Sequence, residues 1–339
     1  MELILTLDVG TTSVKACLFD RRLRQTALTS REYALRTHGV CAEAEPQIYL
    51  DAAAQCILSL PAEARARVCA VALTTQGETL ICVDRQGRAL RPAIVWLDSR
   101  AEAQAARLAA VLDRQRFYER TGLPELSGAL PLAKLLWLRE QEPEIWAQTD
   151  KFLLLEDYLM LWLTGRAVTE KSLLTSTGYF NLQSDDYWDE ALALAELDRT
   201  RLPQALTCGS IVGPVLPELA ETLGLPASAC VVTGAMDQTA AALAAGCTRP
   251  GTLCETTGTA MVAAAFTAHP QFSEDHHVTI YRHAMLGAYL YLPISNTIGM
   301  SLRWFRDEFC RDLDGGYAAL DRLAERVPPG AQGVTFLPY

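Results

Sequence analysis

The strongest constraint in this sequence is a turn close to its start. Leu3-Ile4-Leu5-Thr6-Leu7 is a short apolar run that reads as a buried strand. Asp8 interrupts it, Gly10-Thr11-Thr12-Ser13 follows, and Val14-Lys15-Ala16-Cys17-Leu18-Phe19 resumes the apolar run until Asp20. Strand, tight turn and strand make a hairpin, and Gly10 is expected to supply a positive φ at its tip. The small hydroxyl residues after Gly10 let backbone N–H groups and Oγ atoms converge without a bulky side chain, which is a cradle for phosphate. Asp8, at the end of an apolar strand, is placed to face a hydrated metal ion, and Lys15 adds a positive charge beyond Ser13. A plain hairpin turn is the competing reading, and the flanking strands with the closing Asp20 favour the nucleotide. The stretch is neither a Walker loop nor a dinucleotide glycine motif.

With 339 residues the chain is long enough for two domains of ordinary size. A net charge of −10 and the lack of a dense Lys/Arg stretch argue against a nucleic-acid partner. Ten cysteines are scattered without a C-x-x-C pair or a zinc-type Cys/His spacing. The start carries no basic, signal-like segment. The most apolar helical stretch, Leu153 to Thr164, contains Glu156 and Asp157 and is too short to span a bilayer. A cytoplasmic protein with no membrane segment is the expectation.

Further along, Val68–Leu73 is a continuous apolar run and reads as a central strand. It stops at the polar turn Thr74–Thr79, which contains Gln76, Gly77 and Glu78, and the carboxyl end of a strand is where α/β sheets bind ligands. Trp96 and Asp98 admit two readings: core aromatic plus helix N-cap, or stacking face plus hydroxyl acceptor for a polyol. Lys171 to Asp186 is rich in Ser and Thr with no clear period, a loop or an irregular hairpin. The five histidines show no ligand spacing and are expected on the surface. Ala229–Thr233 is a strand, and Gly234-Ala235-Met236-Asp237-Gln238 turns from it into an Ala-rich helix ending at Gly246. Asp237 is there either an N-cap or a catalytic carboxylate on a rigid element. After Arg249-Pro250-Gly251, a second strand–turn–strand runs from Leu253 to Ala265 around Thr257-Gly258-Thr259. Two Gly-Thr hairpins suggest a duplicated fold around a shared cleft, with Gly258 and Thr259 as the second jaw.

The first hairpin resembles the first phosphate motif of the sugar kinase, actin and heat-shock chaperone ATPase superfamily, and within it the FGGY carbohydrate kinases. Pro131-Leu132-Ala133-Lys134-Leu135-Leu136-Trp137-Leu138-Arg139-Glu140-Gln141 is similar to that family's first signature, with Lys134 and Trp137 at the expected spacing and only Ala129 departing at its leading position. Glu156-Asp157-Tyr158-Leu159, Leu202–Gly213, Ala235–Ala240 and Ser301–Asp307 match in order. The resemblance implies an α/β, ribonuclease-H-like (actin-like ATPase) fold with two domains around a cleft. Residues 1–246 would be the sugar-binding domain, and 247–339 the start of an incomplete nucleotide-binding domain. It implies ATP and Mg²⁺ as cofactors, and transfer of phosphate to a sugar or polyol hydroxyl. Asp237 would be the catalytic base. Gly10, Thr11, Thr12, Ser13, Lys15, Gly258 and Thr259 would touch the nucleotide phosphates, Gly299 would lie by the adenosine, and Asp8 would face Mg²⁺ through water. Gln76, Gly77, Glu78, Trp96, Asp98 and Gln238 would line the acceptor site. Glycerol kinases carry Gln-Arg-Glu, and xylulose kinases Gln-Met-His, where this chain has Gln76-Gly77-Glu78. Glycerol is therefore expected to be a poor acceptor, with Gly77 leaving room for larger ketoses or alditols.

Family members continue for on the order of 150 residues beyond the stretch resembling Gly333–Tyr339, a domain-sized remainder. The sequence therefore leads to expectations of weak ATP binding and little or no kinase activity for these 339 residues with the sugar site kept, an unpartnered Leu253–Ala265 hairpin, and self-association, as in a homodimer. Two other classes are a sugar-binding or regulatory protein that has lost turnover, and a chaperone or filament ATPase. The signature at Lys134–Trp137 and Asp237 speak against the latter.

Overall fold

The computed structural model describes residues 2–257, 261–275, 277–295 and 298–336. Its central sheet has six strands: β1 (Leu3–Val9), β2 (Ser13–Phe19), β3 (Gln25–Glu32), β4 (Val68–Thr75), β5 (Ile211–Pro214) and β6 (Cys230–Met236). The order is β5-β6-β4-β1-β2-β3, with β4 parallel to both β1 and β6 and the other pairs antiparallel. Asp8 pairs with Thr74, and Thr74 with Ala235, so three parallel strands end at one level.

Alternation along β1 buries Leu3, Leu5, Leu7 and Val9, as the apolar run requires. Helix α1 (Pro46–Ser59) lies across β2 and β3, where Thr29 Oγ1 donates to the Cys56 carbonyl at 2.8 Å. Helices α2 (Pro131–Gln141), α3 (Leu155–Thr164) and α4 (Lys171–Leu174) follow, and α5 (Asp237–Ala244) leaves directly from β6. A second sheet of five short strands runs in the order Arg36–His38, Cys41–Ala44, Ala93–Ile94, Leu80–Val83, Lys151–Leu154.

Two two-stranded ladders, Val168–Glu170 with Gln204–Leu206 and Phe180–Asn181 with Asp186–Tyr187, stand apart, and after residue 250 come β7 (Leu253–Thr257), β8 (Met261–Thr267), β9 (Ile280–Arg282), β10 (Tyr289–Tyr291) and β11 (Ile294–Ser295). The last five form a third sheet in the order β7-β8-β10-β9, with β11 also on β8. The Leu253–Ala265 hairpin is thus not without strand partners: β8 has β10 and β11 beside it. Tyr281, Leu290 and Leu292 join one apolar cluster with Phe117, Tyr118, Leu132 and Tyr179, and Ile280 N–H donates to Gly122 O at 2.8 Å. Helices α6 (Ile298–Phe309) and α7 (Gly316–Ala324) leave Leu302, Trp304, Phe305, Phe309 and Leu323 exposed.

Several local expectations are corrected. Gly10 does not adopt positive φ, and a Cβ there would lie 3.7 Å from Ser13 O, an ordinary contact. Its N–H donates to Ser13 O at 3.0 Å, which closes the turn without a left-handed residue. His283 is buried rather than on the surface. Its Nδ1 accepts Met285 N–H at 2.8 Å, so Nε2–H donates to Cys247 O at 2.9 Å. The Ser/Thr-rich middle opens with the short helix α4, buries Ser172, Thr175, Ser176 and Thr177, and ends in the expected irregular hairpin, Phe180–Asn181 against Asp186–Tyr187.

One glycine has no alternative. The β6 register shifts between Val232 and Ala235, and at Gly234 the strand passes so close to β4 that a Cβ would sit 1.3 Å from Leu73 O. Gly234→Ala must push two central strands apart. It is expected to cost upward of about 4 kcal/mol in urea unfolding, among the largest single-residue effects. Gly10→Ala should unfold close to wild type, and a well-tolerated Gly234→Ala would refute this packing.

Candidate active site

Asp237 is the first residue of α5 and directly follows the buried end of β6. Gln238 N–H donates to its Oδ1 at 2.6 Å. Burial pushes the Asp237 carboxyl up to about 6, the Gln238 N–H opposes this, and the charge of Asp8 adds to it. The half-buried Asp237 therefore holds a proton affinity suited to accepting one near neutral pH. Asp8 stands on the same edge, 41% exposed, with Lys15 Nζ 3.4 Å away across the β1–β2 ladder. Lys15 at rest therefore pairs with Asp8.

Gly77 and Glu78 follow β4 in the turn beside Asp237. Glu78 is a non-glycine residue at φ +52°, a conformation that costs roughly 1–3 kcal/mol and persists only where its surroundings impose it. Burial raises its carboxyl, the Ser176 hydroxyl and the Lys134 ammonium pull it back, and Asp237 raises it further. Lys134 is fully buried, donates to Val95 O at 3.0 Å, and is itself held below the usual lysine range by burial. Gly77 faces no open space: a Cβ would meet Met236 Sδ at 3.3 Å and Ser176 Oγ at 3.4 Å. The room expected for a larger acceptor is thus already filled on that side. Gln76 is 3% exposed and packs by the Tyr49 hydroxyl in the core of the main sheet.

The stretch Val95–Arg100 forms a wall reaching toward the first turn. Trp96, 37% exposed, donates from Nε1 to Thr11 Oγ1 at 3.0 Å. Asp98 is fully buried. Its Oδ1 accepts Arg100 N–H and Nε–H at 3.0 and 2.9 Å, and its Oδ2 accepts Ala42 N–H at 2.7 Å and Arg100 Nη2–H at 2.6 Å. Both oxygens are occupied, so Asp98 supports the wall and offers no oxygen to a hydroxyl. Burial pushes its carboxyl up, but Arg100 and the N–H donors outweigh that and hold it below the ordinary range. Arg100 also meets Glu43 at 2.8 Å and lies over Trp137, 4.9 Å from the ring centre. The two signature residues of α2 therefore brace this wall, Lys134 through Val95 and Trp137 through Arg100.

At the first turn, Gly10 N–H donates to Ser13 O at 3.0 Å and Thr12 O accepts Tyr33 N–H at 2.9 Å. Gly258 and Thr259 lie outside the described residues, and Gly299 falls in the first turn of α6. Among the described residues no cluster of three or more His, Cys, Asp or Glu side chains could hold a metal. Two neighbours were not read as site residues from sequence: Ser176, hidden in the Ser/Thr-rich middle, and Tyr281 of β9, whose phenol is raised by burial and by the Glu78 and Asp237 charges. Only the polarity of 171–177 and the aromatic in an apolar strand hinted at them.

Residues 3–244 match the N-terminal domain of the FGGY family of carbohydrate kinases. The chain is 28% identical to the gluconokinase of Bacillus subtilis, over 99% of this chain and 67% of that protein. It is 29% identical to the xylulose kinase of Lactococcus lactis, over 100% and 68%. A solved xylulose kinase from Rhodospirillum rubrum superposes with a TM-score of 0.92 at 30% identity, covering 100% of this chain and 70% of that one. The chain thus spans about two thirds of the length of each, and its fold is the actin-like ATPase fold of these kinases.

Burial at Asp237 has a consequence for stability. Its folded value, about 6, lies above the ordinary 3.8, so the favourable contribution is present below about pH 4 and lost as pH rises through about 6. Asp237→Asn removes the charge while keeping the shape. It should be more stable than wild type by on the order of 1 kcal/mol at pH 8 and equal to it near pH 4. Thermal unfolding at the two pH values measures this, and identical midpoints at pH 8 would contradict the burial of the charge.

Proposed function

The chain belongs to the FGGY family of carbohydrate kinases, and from that premise we propose that it transfers the terminal phosphoryl group of ATP to a hydroxyl of a sugar or polyol. The observation that carries this reading is the placement of Asp237. A half-buried carboxylate of raised proton affinity opens a helix at the level where β1 presents Asp8 and the hydroxyl turn. In phosphoryl transfer the protein mainly positions the reactants and stabilises charge. Asp237 accepts the proton of the attacking hydroxyl. Thr11, Thr12 and Ser13 offer N–H and O–H donors to the phosphates, and Lys15 can swing from Asp8 toward them. Glu78, beside Ser176 and with the Lys134 ammonium favouring its charged form, accepts hydrogen bonds from acceptor hydroxyls, with Gln238 beside Asp237.

Mg²⁺ fits a single exposed carboxylate, since that ion keeps several waters and binds through one or two carboxylates together with substrate phosphates. Asp8 would hold it through water, where it would neutralise phosphate charge. In this reading residues 1–246 form the sugar-binding domain and the rest belongs to the nucleotide side, with Gly258, Thr259 and Gly299 near ATP. A cytoplasmic setting follows from the need for ATP.

Asp237→Asn is expected to bind sugar normally and to lose a factor on the order of 10² to 10⁴ in kcat, as for a general base. ADP release over a sugar panel reads this out, and near-wild-type turnover would remove Asp237 from the mechanism. The same panel tests the acceptor. With no cation at Gly77, glycerol should show kcat/KM at least ~10-fold below the best five- or six-carbon acceptor, xylulose and gluconate included. Glycerol as the best acceptor would overturn this account of the pocket.

A further inference from the structure

The buried segment that follows Val168–Glu170 reaches two parts of the site at once. Ser172 Oγ accepts Met236 N–H at 3.0 Å and lies 3.2 Å from Thr239 Oγ1. The Ser172 hydroxyl itself donates to Glu170 Oε2, which also accepts Ser172 N–H at 2.8 Å. Ser172 is fully buried and Glu170 is 2% exposed. Four residues on, the buried Ser176 hydroxyl donates to Leu173 O at 3.0 Å and lies beside Glu78, whose carboxyl it pulls down.

These bonds fall where the backbone most needs them. The ladder between β6 and β4 is broken between Val232 and Ala235, and α5 begins at Asp237 with no side-chain cap from Met236. Two buried side chains take backbone N–H groups there instead: Glu156 Oε1 accepts Gly234 N–H at 3.0 Å, and Ser172 accepts that of Met236. The second bond is one residue from the base. Because its hydroxyl proton is committed to Glu170, Ser172 Oγ presents lone pairs to Met236.

We infer that Ser172, oriented by Glu170, is a positioning residue for phosphoryl transfer: it fixes the backbone at Met236, and so where the Asp237 carboxylate stands relative to the Glu78 turn. The inference rests on Asp237 being the base. Ser172 touches neither substrate nor the reacting atoms in this account, and its effect passes through Asp237 alone.

Ser172→Ala on the full chain, alone and combined with Asp237→Asn, tests it. The single variant should lose ~10-fold or more in kcat, since a displacement near 1 Å can cost about 10²-fold. Its KM values for sugar and ATP should stay within about twofold, and hydrogen exchange at Met236 should accelerate. Ser172→Thr, which keeps the hydroxyl, should recover most of the loss. In the Asp237→Asn background Ser172→Ala should cause no further fall, because the group it positions is gone. Wild-type kcat in Ser172→Ala, or an equal fractional fall with and without Asp237, overturns the inference. If Ser172→Ala does not fold, Glu170→Gln is judged by the same comparison. An Asp237→Asn enzyme that turns over normally would instead defeat the assignment of the base, whatever Ser172 does.

Discussion

Burial of carboxylates at the end of a parallel sheet governs this structure. Asp237, Glu78, Glu156, Asp157 and Glu170 all stand above their ordinary proton affinities, each first because burial disfavours the charge. In four of them what offsets the cost includes a backbone N–H: Gln238 for Asp237, Gly234 for Glu156, Leu154 for Asp157, and for Glu170 that of Ser172, added to the Ser172 hydroxyl. Such donors are fixed by the fold and need no ordering of long side chains. Glu78 is the exception, since its compensation comes from a hydroxyl and a buried ammonium. That difference suits a residue whose partners change when an acceptor binds.

The close passage of β6 by β4 at Gly234 explains why the acids gather there. With no side chain between Gly234 and Leu73, the two strands converge just before their ends, and Thr74 Oγ1 donates to Ala235 O at 2.7 Å. Backbone groups freed by the shifted register then need partners from outside the sheet. Glu156 on α3 and Ser172 on α4 supply them. The same compression fills the space beside Gly77 with Met236 and Ser176. A signature helix at some distance, α2, fixes the opposite wall through Lys134 and Trp137.

Local periodicity made much of the fold legible in the sequence. The strands at Leu3–Val9, Ser13–Phe19 and Val68–Thr75, and the helices at Pro46–Ser59 and Asp237–Ala244, follow from apolar spacing, proline and glycine. Asp237 alone would read as an N-cap, and only the two Gly-Thr turns and the family resemblance turn it into a candidate base. Illegible parts depend on contacts between distant segments. Lys171–Asp186 shows no period to read, and nothing local announces that Ser172 Oγ takes the N–H of Met236, 64 positions away. Asp98 carried two open readings until Arg100 and Ala42 were seen to occupy it. The conformation of Gly10 was misjudged because the turn closes with its own Gly10–Ser13 bond, which needs no positive φ.

The central claim is that a buried carboxylate of raised proton affinity takes the acceptor's proton. The most direct measurement is kcat against pH between about 4.5 and 8.5 with saturating ATP·Mg²⁺ and the best acceptor. This account predicts that turnover rises with pH through an inflection near 6, where Asp237 loses its proton, and that the inflection vanishes in Asp237→Asn. A profile flat across that range, or an inflection near 6 that survives in Asp237→Asn, would contradict it.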